Sequence, residues 1–176
     1  MHDMTEQPYR HRRSIRLKGY DYALPGAYFI TFCTYRRLPL FGDVVDGAMR
    51  LNAHGNIAQN CWNALSDHFA HVKLDAFVVM PNHVHAVLWI RDVGARHVVP
   101  REQFSRPVPG SLAQIVRIYK AAVTRQSGSP VWQRNYYDHI IRDDAELDRI
   151  RIYIQENPAN WRDDEDNPAN RQRKHM

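Results

Sequence analysis

Two runs of β-forming residues, Val72–Met80 and His83–Ile90, are separated only by Pro81-Asn82. That dipeptide is a strong turn signal, so the centre of the chain is predicted to be strand, turn, strand. The second run opens on His83-Val84-His85, directly after the apolar Phe77-Val78-Val79-Met80. Residues i and i+2 of a strand share a face, so the two imidazoles would project side by side, a ready pair of metal ligands. Ten histidines among 176 residues give about 0.6 such pairs by chance. The pair therefore gains weight only from its company.

Other segments give further elements. Residues 27–35, rich in aromatic and β-branched side chains after Pro25-Gly26, read as a first strand. Residues 49–69 carry apolar positions three and four apart (Ile57, Cys61, Leu65; Trp62, Phe69) and predict an amphipathic helix. The proline- and glycine-containing stretch 91–110 has no period and reads as a loop or flap. Ser111 is a plausible N-cap for a helix to about Gln126, which Ser127-Gly128-Ser129-Pro130 stops. Residues 131–141 are expected to return as a fourth strand. Asp143, with Glu146 three residues on, resembles a capping box opening a last helix. That helix should end near Asn157, because Pro158 lacks an N–H. The order is β-α-β-β-α-β plus a terminal helix, which predicts an α+β chain on the ferredoxin-like plan, with helices on one face of an antiparallel sheet.

Composition limits the function classes. The chain is long enough for one domain with a real core. Two cysteines, Cys33 and Cys61, make no disulfide framework and no zinc-finger spacing, which favours a reducing cytoplasm. No signal peptide is recognisable, and the apolar runs are strand-sized, too short to span a membrane. Net charge is +5 with a pI near 9.4, a mild pointer to a polyanion. Between 117 and 142, Arg117, Lys120, Arg125, Arg134 and Arg142 face Asp138 alone, with Tyr119, Trp132, Tyr136 and Tyr137 interleaved. Cations for phosphates and rings for bases suit a single-stranded nucleic-acid groove; a solvated basic face over core aromatics is the competing reading.

About seventy residues after the histidines, Tyr153 and Asn157 stand four apart, on one side of the predicted last helix. Leu147, Ile150 and Ile154 form its core stripe, with Tyr153 and Asn157 on the flank. A tyrosine hydroxyl can attack phosphorus when something lowers the cost of ionising it. A divalent ion on His83 and His85 would polarise the phosphate, and Asn157 offers a neutral third oxygen. Each residue also has a bland reading: core histidines, a packed tyrosine, a helix C-cap. His139 reads as structural or substrate-contacting.

The run Phe77-Val-Val-Met-Pro-Asn-His-Val-His85 resembles the His-hydrophobic-His motif of single-tyrosine (Y1) HUH transposases. Trp132-Gln-Arg-Asn-Tyr-Tyr-Asp-His-Ile-Ile-Arg142 and Arg151-Ile-Tyr-Ile-Gln-Glu-Asn-Pro158 are similar to one branch, the REP-associated tyrosine transposases, relatives of the IS200/IS605-like transposase family. The basic opening Arg12-Arg-Ser-Ile-Arg-Leu-Lys-Gly-Tyr20 and Tyr28-Phe-Ile-Thr-Phe-Cys-Thr34 add to the likeness, which covers about residues 12–161. It divides the chain into a basic arm (1–18), a transposase domain (19–161) and a charged tail (162–176) expected to trail off without fixed structure.

The resemblance implies metal-dependent cleavage and strand transfer of single-stranded DNA at hairpin-associated sites, through a 5′-phosphotyrosine. It makes Tyr153 the nucleophile and His83, His85 and Asn157 the ligands of Mg²⁺ or Mn²⁺. Asn157 stands where IS200/IS605 enzymes carry glutamine, one methylene longer. Arg12, Arg13, Arg16, Arg117, Lys120, Arg134, Tyr136, Tyr137 and Arg142 are the expected DNA contacts. A bacterial, nucleoid-associated protein is implied, with no membrane partner and as monomer or homodimer. The alternatives are a non-catalytic single-strand-binding module, which gives no reason for His83, His85 and Tyr153 to converge, and a rolling-circle replication or relaxase nuclease, which usually adds a second tyrosine or third histidine. A zinc hydrolase fits less well, since no His-Glu-x-x-His is present.

Overall fold

Burial alternates along Gly26–Cys33 (β1), with Tyr28, Ile30 and Phe32 fully buried and Phe29, Thr31 and Cys33 on the other face, as period two requires. The computed structural model describes residues 24–92, 108–164 and 166–171. After β1 come a 3₁₀ turn at Tyr35–Arg37, strands Gly42–Val45 (β2) and Ala48–Leu51 (β3), helices Ala53–Asn63 (α1) and Leu65–His68 (α2), strands Val72–Met80 (β4) and His83–Ile90 (β5), helix Leu112–Ser127 (α3), strand Tyr137–Ile141 (β6), and helices Asp144–Asn160 (α4) and Pro168–Arg171 (α5). The main sheet has the order β4-β5-β1-β6, antiparallel throughout; β2 and β3 form a separate hairpin.

β4 and β5 coincide with the two runs flanking Pro81-Asn82. β5 lies inside the sheet between β4 and β1, which explains why nearly all its side chains are buried. Tyr28, Ile30, Phe32, Val84, Ala86 and Leu88 form one face and receive α1, α2 and α3 through Trp62, Leu65, Ile115 and Tyr119. Ser111 caps α3, accepting from the Gln114 N–H, and Gly128 closes it at φ 68°, a left-handed conformation that favours glycine. At Gly55 in α1 any side chain is excluded: a Cβ would lie 2.2 Å from the Phe41 carbonyl oxygen.

The structure corrects several expectations. The expected helix over 49–69 begins only at Ala53, capped by Asn52, because Ala48–Leu51 pairs with β2. The expected strand over 131–141 is ordered as β only from Tyr137, apart from a bridge between Thr34 and Trp132. Residues 133–135 turn their carbonyls to the Lys120 ammonium instead. Pro158 does not end α4, which runs to Asn160; only one hydrogen bond, to the Ile154 carbonyl, is forfeited there, close to the helix end. At its start Asp143 accepts from the Glu146 N–H as expected, while Glu146 turns to the Arg142 N–H and His139. Finally, α4 does not join the other helices: Leu147 and Ile154 pack with Ala27, Val87 and Ile141 on the opposite face of the sheet. Part of the expected loose tail is also placed, since Asp166 pairs with Arg37 and α5 follows. The arm, including Arg12, Arg13 and Arg16, and the loop 93–107 lie outside the described residues. No helix among the described residues is long and apolar enough to cross a membrane.

Candidate functional site

The face of the sheet under α4 carries both motif histidines. His83 and His85 are buried, with ring centroids 4.5 Å apart. Two strand residues advance ~6.7 Å and four helix residues ~6 Å. The two spacings match, and α4 sets Tyr153 beside His85 and Asn157 beside His83. Tyr153 Oη lies 3.1 Å from His85 Nε2, while the phenol remains 47% exposed.

A second set of polar groups fixes the ring nitrogens. Thr31, opposite His85 in the β1–β5 register, places its Oγ1 2.8 Å from His85 Nδ1. Asn82 places Oδ1 2.8 Å from His83 Nδ1. The Asn82 Nδ2 donates to the carbonyls of Arg37 (3.2 Å) and Asp166 (2.8 Å), which orients the amide. Its Oδ1 is therefore an acceptor, His83 Nδ1 carries the proton, and His83 Nε2 presents a bare lone pair. Among the described residues, His83 Nε2 and Asn157 Oδ1 are buried with no hydrogen-bond partner. Asn157 lies close enough to His83 to act on its pKa, in the upward direction, yet His83 Nε2 and Asn157 Oδ1 miss hydrogen-bond geometry. A buried unpaired nitrogen and a buried unpaired oxygen side by side are what a cation would satisfy. Burial foremost, then the Arg37 charge, pushes His83 down to about 4; burial, then His83 and Arg37, holds His85 well below its ordinary value. Both imidazoles are thus neutral at neutral pH, the state that ligates. No group of three His, Cys, Asp or Glu suited to a metal occurs among the described residues, so two nitrogens and an amide oxygen are the set available.

An open cleft of about 450 Å³ runs over this face, lined among others by Phe29, Arg37, His85, Gln133, Tyr137 and Tyr153. The Phe29 ring stacks on His85 at 5.4 Å and meets Tyr137 and Tyr153 edge-on, each at 6.2 Å. Arg37 reaches the cleft from a strained turn: Arg36 and Arg37 both adopt left-handed φ, 53° and 56°. Its guanidinium pairs with Asp166.

The expected DNA contacts divide. Tyr137 is exposed beside Phe29, whereas Tyr136, also in the cleft wall, packs against Phe32 at 6.1 Å. Arg134 is exposed next to the cleft. Lys120 does not face a phosphate: its ammonium donates to the Gln133, Arg134 and Asn135 carbonyls at 2.5, 3.2 and 3.5 Å, and burial foremost lowers its pKa to about 8. Arg117 is exposed on α3, across the sheet from α4. Arg142 is exposed past the far end of β6, five residues from Tyr137 or ~17 Å along a strand. His139 bonds Glu146 at 2.8 Å. Phe29, Thr31 and Asn82 lie inside the runs that carry the resemblance, yet nothing in the sequence marks them, or Arg37, as part of the site.

The chain is 41% identical to an uncharacterized protein of Haemophilus influenzae over 166 residues, covering 88% of this chain and 92% of that protein. A second Haemophilus influenzae protein, named "Putative REP-associated tyrosine transposase", is 24% identical over 143 residues, or 79% of this chain and 73% of that one. Among solved structures, a REP-associated tyrosine transposase bound to a REP hairpin superposes with a TM-score of 0.59 at 18% identity, covering 85% of this chain and 74% of that one. No protein-family model matches.

Proposed function

We propose that this chain, which belongs to the family of the REP-associated tyrosine transposases, cuts single-stranded DNA beside a hairpin and holds the new 5′ end on Tyr153. The observation that carries the reading is the approach of Tyr153 Oη to His85 Nε2 at 3.1 Å, between residues 68 apart in the chain, with His83 and Asn157 alongside. A module that only binds nucleic acid accounts for the basic and aromatic residues but not for that convergence. We read the β1-α1-β4-β5-α3-β6 path as ferredoxin-like, with β2–β3 inserted and α4 added to carry the nucleophile.

His83 Nε2, His85 Nε2 and Asn157 Oδ1 would hold Mg²⁺ or Mn²⁺. When bound, the ion would polarise the scissile phosphate and stabilise the departing charge. All three ligands are neutral, which leaves the charge of the ion for phosphate oxygens to balance. Tyr153 Oη attacks phosphorus, the bond from phosphorus to the 3′ oxygen breaks, and a free 3′-hydroxyl leaves. The half-exposed phenol gives its proton to solvent in the open cleft, and the departing oxygen takes one from water. Strand transfer is the same step reversed by another 3′-hydroxyl. Arg37, Arg134 and the rings of Phe29 and Tyr137 suit the phosphates and bases of an unpaired strand.

The test is a denaturing gel of protein with hairpin-bearing single-stranded DNA and Mn²⁺. A covalent protein–DNA band is expected, and Tyr153→Phe should abolish it. An adduct that persists in that variant overturns the assignment.

A further inference from the structure

We propose that residues 133–137 read one unpaired nucleobase next to the phosphate that Tyr153 attacks: the Gln133 and Asn135 amides meet the base edge and Tyr137 provides the ring it stacks on. The inference rests on the DNA-cutting reading above and adds where sequence is recognised.

Three observations carry it. First, the segment is pinned without being part of the sheet ladder. The Gln133 N–H donates to the Cys33 carbonyl at 2.9 Å, and Lys120 Nζ gathers the carbonyls of three successive residues, 133 to 135. An ammonium has three donors, so these carbonyls suffice for it. Secondly, Gln133 and Asn135 line the cleft that holds Tyr153, while their carbonyls are taken by Lys120. Among the described residues neither amide has a hydrogen-bond partner. An amide offers a donor and an acceptor side by side, the pattern that pairs bidentately with a base edge. Thirdly, Tyr137 is 48% exposed, and it and Tyr153 meet the same Phe29 ring, each at 6.2 Å. A base stacked on Tyr137 therefore lies next to the phosphate in front of Tyr153.

Lys120 is here a positioning residue. It touches no DNA and sets the direction of the amides through the backbone.

The experiment measures binding of the Tyr153→Phe protein to hairpins with a short unpaired tail, by fluorescence anisotropy. All four bases are placed in turn on each side of the scissile phosphate. Preference of roughly five- to a hundredfold for one base at one of the two positions is expected, the range of a bidentate amide contact. Gln133→Ala and Asn135→Ala together should flatten it while affinity for the hairpin alone stays unchanged. Lys120→Met should flatten it too, and Lys120→Arg, which keeps the donors, should restore part of it. A preference unchanged in the double alanine variant, or no preference at either position, overturns the inference. Base preference in a protein whose Tyr153 form makes no covalent adduct would sink the cutting reading and leave this one standing. An adduct formed with equal ease on all bases would do the reverse.

Discussion

Asp75 receives two hydrogen bonds from the Arg151 guanidinium, at 2.9 and 2.7 Å, across the seam between β4 and α4. The Trp89 indole donates a third, at 3.1 Å. Asp75 reaches this position because β4 bulges: Leu74 pairs with Leu88 and Phe77 with Ala86, so Asp75 and Ala76 together oppose Val87. Arg151 stands two residues before Tyr153, so this pair fixes the helix that carries the proposed nucleophile. Arg151→Gln should lower stability by about 1–2 kcal/mol and slow adduct formation more than it weakens hairpin binding. Thermal denaturation and single-turnover gels check this. Affinity and rate falling equally would show that the pair has no special part in holding Tyr153.

The same pair sets an acid limit. Hydrogen bonding from Arg151 foremost lowers the Asp75 pKa from 3.8 to about 2. A carboxylate whose pKa is depressed on folding adds stability above its unfolded pKa and loses it as pH falls through the folded one. The gap in Tm between wild type and Asp75→Asn should therefore hold at pH 5 and above, shrink below about 4 and close near 2. A gap that widens with acid would contradict the pairing.

Removing a proposed ligand should act on metal before DNA. His83→Ala or His85→Ala should abolish Mn²⁺ binding by calorimetry and cleavage by gel, with hairpin affinity nearly intact because phosphate contacts dominate it. Asn157→Ala should be milder, since water can fill an oxygen position. Full activity of the double histidine variant in excess EDTA would remove the metal from the mechanism.

Asn82 should matter nearly as much as the histidine it orients. Asn82→Ala leaves His83 Nδ1 without its acceptor and the Arg37 and Asp166 carbonyls without their donor. We expect a loss of about 1–3 kcal/mol in stability and roughly 10–100-fold in metal affinity. Wild-type metal affinity in this variant would show that the tautomer is set elsewhere.

Arg37 points a cation into the cleft from a strained backbone. Arg37→Ala should weaken binding of all single strands alike and reduce the salt slope by about one phosphate. A selective loss on one sequence would make it a base contact instead.

Much of this architecture was legible along the chain because it depends on neighbours. Two runs of β-forming residues and a turn dipeptide bound β4 and β5, the period of two puts His83 and His85 on one face, and Ser111 and Asp143 mark helix starts through bonds three residues long. Tyr153 and Asn157 share a side for the same local reason. Tertiary packing decided the rest. Lys120 and Arg134 look alike in a basic stretch, yet only the fold brings three carbonyls to the Lys120 ammonium and leaves Arg134 exposed. Nothing near Asp75 announces Arg151, 76 residues away, or the bulge that aims one at the other. The sequence by itself determined which side chains share a face, since backbone geometry fixes that within a few residues. Only the tertiary structure decided that α4 lies across the sheet from the other helices, with Tyr153 over His85 and Asn157 beside His83. Burial of Leu147 and Ile154 against Val87 and Ile141 selects that face, and such contacts between distant segments leave no periodic trace in a sequence.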